Sequence, residues 1–379
     1  MFFPPKRFYA RQIFLAAFGL VLFVCASVRA EALLPVLATN LICRYDFDHA
    51  VATNAAKEQD LGRAGADLNL INGGATMRVN DGAYPGSYFS LQTQQVNPTT
   101  SGNDDWKAGF YQTNGVPTLS NFNAVAGITL MGWVKPTGTN PNLDTTTAAT
   151  NDFYNAIGLF GLLAGNSEGH AVRALLEIIT VGTNYQLVAL GRRIDGGSSL
   201  TLVATNDWHV LLPSNTWTHL AATFDFDNGT MALYRNGALL PATNTSAANL
   251  WNTTANLDVT TASNPAGIKI GGSFPQNTAE KNAFNGRFDD LMFFNRAFTA
   301  AEVAAQFTNF SPKLSGQLAA GQLALAWPAP DAGFTLETKT NLGATNWTPV
   351  TATPTSNAGA FALTQALLPG AQYFRLKKP

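Results

Sequence analysis

The 379 residues carry a formal charge of −1, 12% of them are charged and 46% are hydrophobic. That composition supports a large core, and its charge density is too low for a disordered chain or for one that grips nucleic acid through a basic surface. Asn, Thr, Gly and Ala fill the intervening polar stretches instead.

At the start, Lys6, Arg7 and Arg11 precede an apolar run from Ile13 to Val28, and Val28-Arg29-Ala30 suits cleavage before Glu31. The run is shorter than the roughly 20 residues a spanning helix needs. Residues 1–30 therefore read as a secretory signal peptide, which implies a secreted or cell-envelope protein with no stable membrane span after cleavage. An uncleaved anchor is the next reading. Acylation at Cys25 is a third, opposed by Val24 where a small residue is wanted. Cys43 is then the single thiol of the mature chain, so no intrachain disulfide can form. It lies in the strand-like "LICRYDF" without an adjacent His, as a buried, inert thiol would.

From Leu41 onward, short apolar or alternating runs are separated by Asn, Gly, Asp and Pro clusters, the pattern of an all-β fold. "GITLMGWVKP", "RALLEIITV", "YQLVALGRRI", "LTLVA" and "THLAATFDF" read as strands. Asp227-Asn228-Gly229 and Asn236-Gly237 bracket "TMALYR" with turn signals, and Asn-Gly supplies the positive φ of a tight hairpin. Polar inserts at 97–123, 137–155 and 241–264 carry Trp106, Tyr111, Tyr154 and Trp251. Only the segment after Thr299 reads as helix: Thr299 and Glu302 form a capping box, and Phe298 can staple onto Val303. Past Ser311-Pro312-Lys313 a fresh set of strands begins, so 31–311 and 312–379 are expected to be a sandwich and a small second β domain.

With those elements in place, the chain resembles the laminin-G-like, concanavalin-A-like jelly-roll family. "GITLMGWVKP", "NTWTHLAATFDFDNGTMALYRNGALL" and "IKIGGSF" leading into "FNGRFDDLMFFNRAFTAAEVAAQF" carry the resemblance, which covers residues 41–310. It implies a β-sandwich that in different members serves lectins, glycanases, adhesive modules or spacers. "FTLETKTNLGATNWTPV" and "QYFRLKK" resemble the small fibronectin-type modules that end some secreted bacterial proteins.

Glycanases of this architecture place two glutamates on one strand face, as glycoside cleavage requires. Glu177 has no acidic residue two or four positions away, so the chain reads as a non-catalytic binding module with carbohydrate as the first ligand class. Trp106, Tyr111, Trp208 and Trp251 are the candidate sugar-stacking side chains. An adhesive or structural envelope protein that binds a cell-surface protein is the alternative, and a hydrolase the third reading. The four histidines have no metal-ligand spacing, and His219 in "WTHLA" reads as a hydrogen-bonded core residue. Asp207-Trp208-His209 reads as a solvated turn. Asp289 and Asp290 stand among Phe, Leu and Met, and on a regular strand they diverge to opposite faces, so at least one carboxylate needs a buried partner. The family resemblance brings first and last strands together, which suggests a structural Ca²⁺ shared by Asp289 with Asp48 or Asp60. Pairing with Arg44, Arg235 or turn amides is the alternative.

Overall fold

The computed structural model describes residues 32–96, 104–112, 114–138, 157–163, 172–181, 184–192, 200–244, 264–272, 283–319, 321–328, 334–343, 345–357, 360–366 and 369–377. The expected signal peptide, residues 1–30, lies outside them. Among these residues no helix is long and apolar enough to cross a membrane.

Two large antiparallel sheets face each other. The eight-stranded sheet runs Ala238–Leu239, Thr230–Arg235, Thr218–Asp225, Gly127–Pro136, Gly286–Phe294, Ser90–Thr93 and Arg78–Val79, and Leu41–Tyr45 pairs with the far end of Gly286–Phe294. The ten-stranded sheet runs Ala242–Asn244, Leu200–Asp207, Asn184–Gly191, Val172–Val181, Ile157–Leu163, Gly267–Ile270, Lys107–Tyr111, Leu68–Ile71, Asn54–Glu58 and Ala50–Val51. Alternation along each strand sends one set of side chains between the sheets. Ile128, Leu130, Phe224, Phe288 and Phe293 from the first sheet meet Phe160, Leu162, Leu176, Ile178 and Ile268 from the second in one continuous core. Each such fully buried side chain contributes about 1.5–3 kcal/mol of burial.

The outer face of the eight-stranded sheet has its own apolar layer. Met131, Trp133, Ala221, Met292 and Phe294 are covered by Leu37, Tyr84, Phe298, Val303 and Phe310. The helix Ala300–Asn309 is held there by the expected capping box: Glu302 N donates to Thr299 Oγ1 and Thr299 N to Glu302 Oε2. Phe298 and Val303 join the same cluster, as the staple requires. The Asn236-Gly237 hairpin also forms, with φ of 49° and 77° and Arg235 opposite Ala238.

Short helical segments were not legible as such. Trp208–Leu211 forms a helical turn capped by Asp207, whose Oδ1 accepts from His209 N. The expected solvated turn is thereby corrected: Trp208 drops into the main core at 2% exposure. Cys43 is buried and free, as its neighbours imply.

After the helix come two smaller sheets. One orders Ser315–Ala319, Gln322–Pro328, Ala360–Ala366 and Thr355–Asn357; the other orders Thr348–Pro349, Thr335–Lys339 and Tyr373–Lys377. Their facing side chains, Leu325, Trp327, Leu336 and Leu363, make a separate small core. A distinct core is the physical condition for independent folding. Limited proteolysis is expected to nick the chain near residues 311–315 and leave a resistant fragment ending near 310; a joint that resists while the sandwich is cut elsewhere would show one fused unit.

Candidate ligand-binding face and aspartate cluster

The outer face of the ten-stranded sheet carries charge where alternation would allow apolar residues. Ala108 and Phe110 turn to the core, so Lys107, Gly109 and Tyr111 take the opposite face. By the same alternation Lys269 lies between core-facing Ile268 and Ile270, and Glu177 between Leu176 and Ile178. Register then sets the neighbours. One cross-strand row reads Asn69, Gly109, Lys269, Gly161, Leu175 and Leu190. Beside it, Gly158 faces Glu177, which faces Val188. A third row sets Tyr111 opposite Gly267 and Gly267 opposite Leu163.

The glycines make a floor of bare backbone. A Cβ on Gly161 would lie 2.4 Å from Ala174 O and 2.7 Å from Leu175 Cδ1, so no side chain fits there. At Gly158 the nearest atoms to such a Cβ belong to Gly272, 3.8 Å away, and a Cβ on Gly272 would sit 3.8 Å from Lys107 Cδ. Lys107, Lys269 and Glu177 are 3%, 3% and 2% exposed, and each engages other groups. Buried charges persist only when paired or hydrogen-bonded, so this face is a polar network at low dielectric.

Of the aromatic candidates, Tyr111 alone is brought to this face, against Leu163 and Ala266. Trp106 is half-buried against the main core and lies over Gly73, where a Cβ would meet its Cδ2 at 2.7 Å. Trp208 is in the core, so its ring offers no stacking surface. Trp251 lies outside the described residues. Lys107 and Lys269 were missed by sequence reasoning; a lysine in the apolar "GIKIGG" was the available signal.

The aspartates occupy the other sheet. The register of Gly286–Phe294 against Gly127–Pro136 slips between Asp289 and Met292, and Asp290 adopts φ 45°. This bulge inserts one residue, so Phe288 and Leu291 both turn inward while Asp289 and Asp290 both turn to the outer layer. The expectation that they diverge is corrected: a bulge, invisible in the residue pattern, makes them neighbours. Asp290 receives Arg44 Nε at 2.7 Å and Tyr84 OH at 2.8 Å. Asp289 Oδ2 receives Ala83 N at 2.8 Å and Ser87 Oγ at 2.7 Å, and its buried Oδ1 has no hydrogen-bond partner. Burial and repulsion from Asp290 hold the Asp289 carboxyl well above the usual carboxylate range.

Of the other proposed calcium ligands, Asp48 accepts from Tyr88 N and Phe89 N, and its charge adds to the upward push on Asp289. Asp60 spends both oxygens on Gly62 N and Ala66 N of its own loop and on Arg44 N of the strand Leu41–Tyr45. Among the described residues no group of three or more His, Cys, Asp or Glu is arranged to hold a metal. The partner requirement at Asp290 is met by Arg44, one of the two arginines named from sequence. His219, two strands from Asp289 across Trp133, also departs from expectation: neither ring nitrogen has a hydrogen-bond partner, and burial lowers its pKa to about 3. It is a neutral core ring, edge-on to Trp133 at 5.3 Å.

With the sandwich and its faces described, the class follows: residues 108–304 match the family described as the concanavalin A-like lectin/glucanases superfamily, and the chain belongs to that family. No curated protein matches it in sequence. Similar solved structures include a Trypanosoma rangeli sialidase, at 14% identity and TM-score 0.42, aligned over 71% of this chain and 32% of the sialidase. The binding domain of Paraclostridial Mosquitocidal Protein 1 aligns at 16% identity and TM-score 0.44, over 83% of this chain and 64% of that one. A structure of botulinum neurotoxin type C, whose cell entry is dependent upon interaction with two ganglioside molecules, aligns at 13% identity and TM-score 0.45, over 90% of this chain and 73% of that one. This chain thus spans about a third of the sialidase and about two thirds of the mosquitocidal binding domain.

Proposed function

We propose that the jelly roll is a secreted, non-catalytic carbohydrate-binding module whose ligand seats on the outer face of the ten-stranded sheet. The observation that carries the reading is Tyr111, a half-buried ring on this face one row from the buried Lys269 and Gly161. The buried charges hold the face in place, and Tyr111, half-buried beside them, offers the aromatic ring that stacks on an apolar sugar face. The non-catalytic half rests on the surroundings of Glu177. Its cross-strand neighbours are Gly158 and Val188, and two residues away along the strand stand Leu175 and Ile179. Hydrolysis of a glycosidic bond calls for a second carboxyl group about 5–9.5 Å away.

A glycan array probed with the purified protein is the first test. Binding to a saccharide that falls at least tenfold in Tyr111→Ala is the expected result. Turnover of a labelled polysaccharide by the wild type, abolished in Glu177→Gln, would overturn the non-catalytic reading. A structural Ca²⁺ at the unpartnered Asp289 Oδ1, with Asp48 as second carboxylate, is the alternative to a protonated Asp289, and the response of the melting temperature to EDTA separates the two.

A further inference from the structure

The small C-terminal module holds an open groove of about 570 Å³, lined chiefly by Leu314, Leu318, Leu323, Leu325, Trp347 and Phe374. Its place in the topology gives it meaning. Ser315–Ala319 is the last strand of one small sheet and Tyr373–Lys377 the last strand of the other, each paired on one side only among the described residues. Both strands contribute to the groove, so it lies beside two sheet edges whose outward N–H and C=O groups are open to pairing. Leu318 on the first edge is 67% exposed, and Leu342 at the groove is 60% exposed. Within the lining, Gln372 Oε1 is buried and has no hydrogen-bond partner. An acceptor left so in an apolar groove calls for an N–H or O–H donor.

Charge selects the occupant. Residues 312–379 contain five Lys or Arg and two Asp or Glu. On the edge strand, Arg375 and Lys377 share the single carboxylate of Glu337, at 2.7 and 3.8 Å. Lys339 and Arg375 lie over Trp347, 4.5 and 4.4 Å from its centroid. This excess of positive charge opposes pairing with the same edge of a second copy, which would set Arg375 and Lys377 against themselves.

We propose that the groove docks an extended peptide segment of a partner protein, apolar at alternate positions and acidic between them, by strand addition to the open edge of Tyr373–Lys377. Backbone pairing gives the affinity, alternate apolar side chains fill the Leu-rich slot, and acidic side chains meet Arg375 and Lys377. The site is separate from the saccharide face and does not depend on it.

The test uses the full-length protein and three fluorescent ten-residue probes: alternating Val-Glu, alternating Val-Lys, and Val-Glu with alternate amides N-methylated. Polarisation titrations are expected to show saturable Val-Glu binding, at least tenfold tighter than either control and weakened by salt. Leu318→Asp, at an exposed position, should weaken it tenfold with an unchanged melting temperature, and Gln372→Leu should weaken it as well. Equal binding of the Val-Lys or N-methylated probe, or indifference to Leu318→Asp, would overturn strand addition of an acidic peptide. A dimer in sedimentation that Leu318→Asp dissolves would overturn it in favour of a second copy as occupant.

Discussion

Arg44→Met is expected to lower the unfolding free energy by about 3–5 kcal/mol, because it leaves Asp290 as an uncompensated charge in the outer layer. Asp290 is fully buried, and the guanidinium is its one cationic partner by direct hydrogen bond among the described residues, with Tyr84 OH as the second donor. The loss should be conditional. Removing both charges in Arg44→Met/Asp290→Asn should recover at least half of it, since a neutral amide can still accept from Tyr84. Urea unfolding at constant m value measures both. A double variant as unstable as the single one would show that Arg44 acts through packing instead.

Asp289→Asn is expected to leave stability unchanged near pH 4 and to raise it above the wild type at pH 7.5. The sign follows from which state binds the proton. The folded-state pKa of Asp289 is raised above its ordinary 3.8, so its contribution is fully present below that value and is lost as pH rises through the folded pKa. Across that window the folded state holds a proton that the unfolded state has released. The wild type therefore loses up to about 1.4 kcal/mol per pH unit from this group. Asn mimics the protonated acid: its oxygen can accept from Ala83 N and Ser87 Oγ while its amide takes the Oδ1 position. Asp289→Ala, by contrast, strands those two donors and should cost about 2–4 kcal/mol near pH 4, a deficit that shrinks as pH rises and the wild type loses its own contribution. A calcium ion at Oδ1 would reverse the outcome. EDTA would then lower the wild-type melting temperature but not that of Asp289→Asn, and the Asn variant would be the less stable protein at pH 7.5. An unchanged wild-type melting curve in EDTA is the result this account expects.

The fold was readable because its signals are local. The apolar run in "GITLMGWVKP", the Asn236-Gly237 turn and the Thr299/Glu302 cap each depend on residues a few positions apart, and each forms as read. The site was less readable because its geometry depends on distant strands meeting in register. Lys269 becomes a neighbour of Gly109 and Gly161 through pairings that span more than a hundred residues. The bulge at Asp289-Asp290 is likewise set by how the strand meets Gly127–Pro136, so two residues that should diverge converge. Trp208 misled for a related reason: the polar neighbours Asp207 and His209 suggested solvent, yet one helical turn is enough to put the ring inside and leave both neighbours out. His219 shows the limit of a satisfaction rule, since its backbone N–H is bonded to Asn236 Oδ1 while its ring is packed among aromatics.

The most direct measurement of the binding-face assignment is hydrogen–deuterium exchange of the full-length protein with and without a saccharide selected on the array. The account predicts slowed exchange in Lys107–Tyr111, Ile157–Leu163, Val172–Val181 and Gly267–Ile270, the strands that carry Lys107, Gly158, Glu177 and Lys269. Protection confined to Thr218–Asp225 and Thr230–Arg235 on the opposite sheet, with those four strands unchanged, would contradict it.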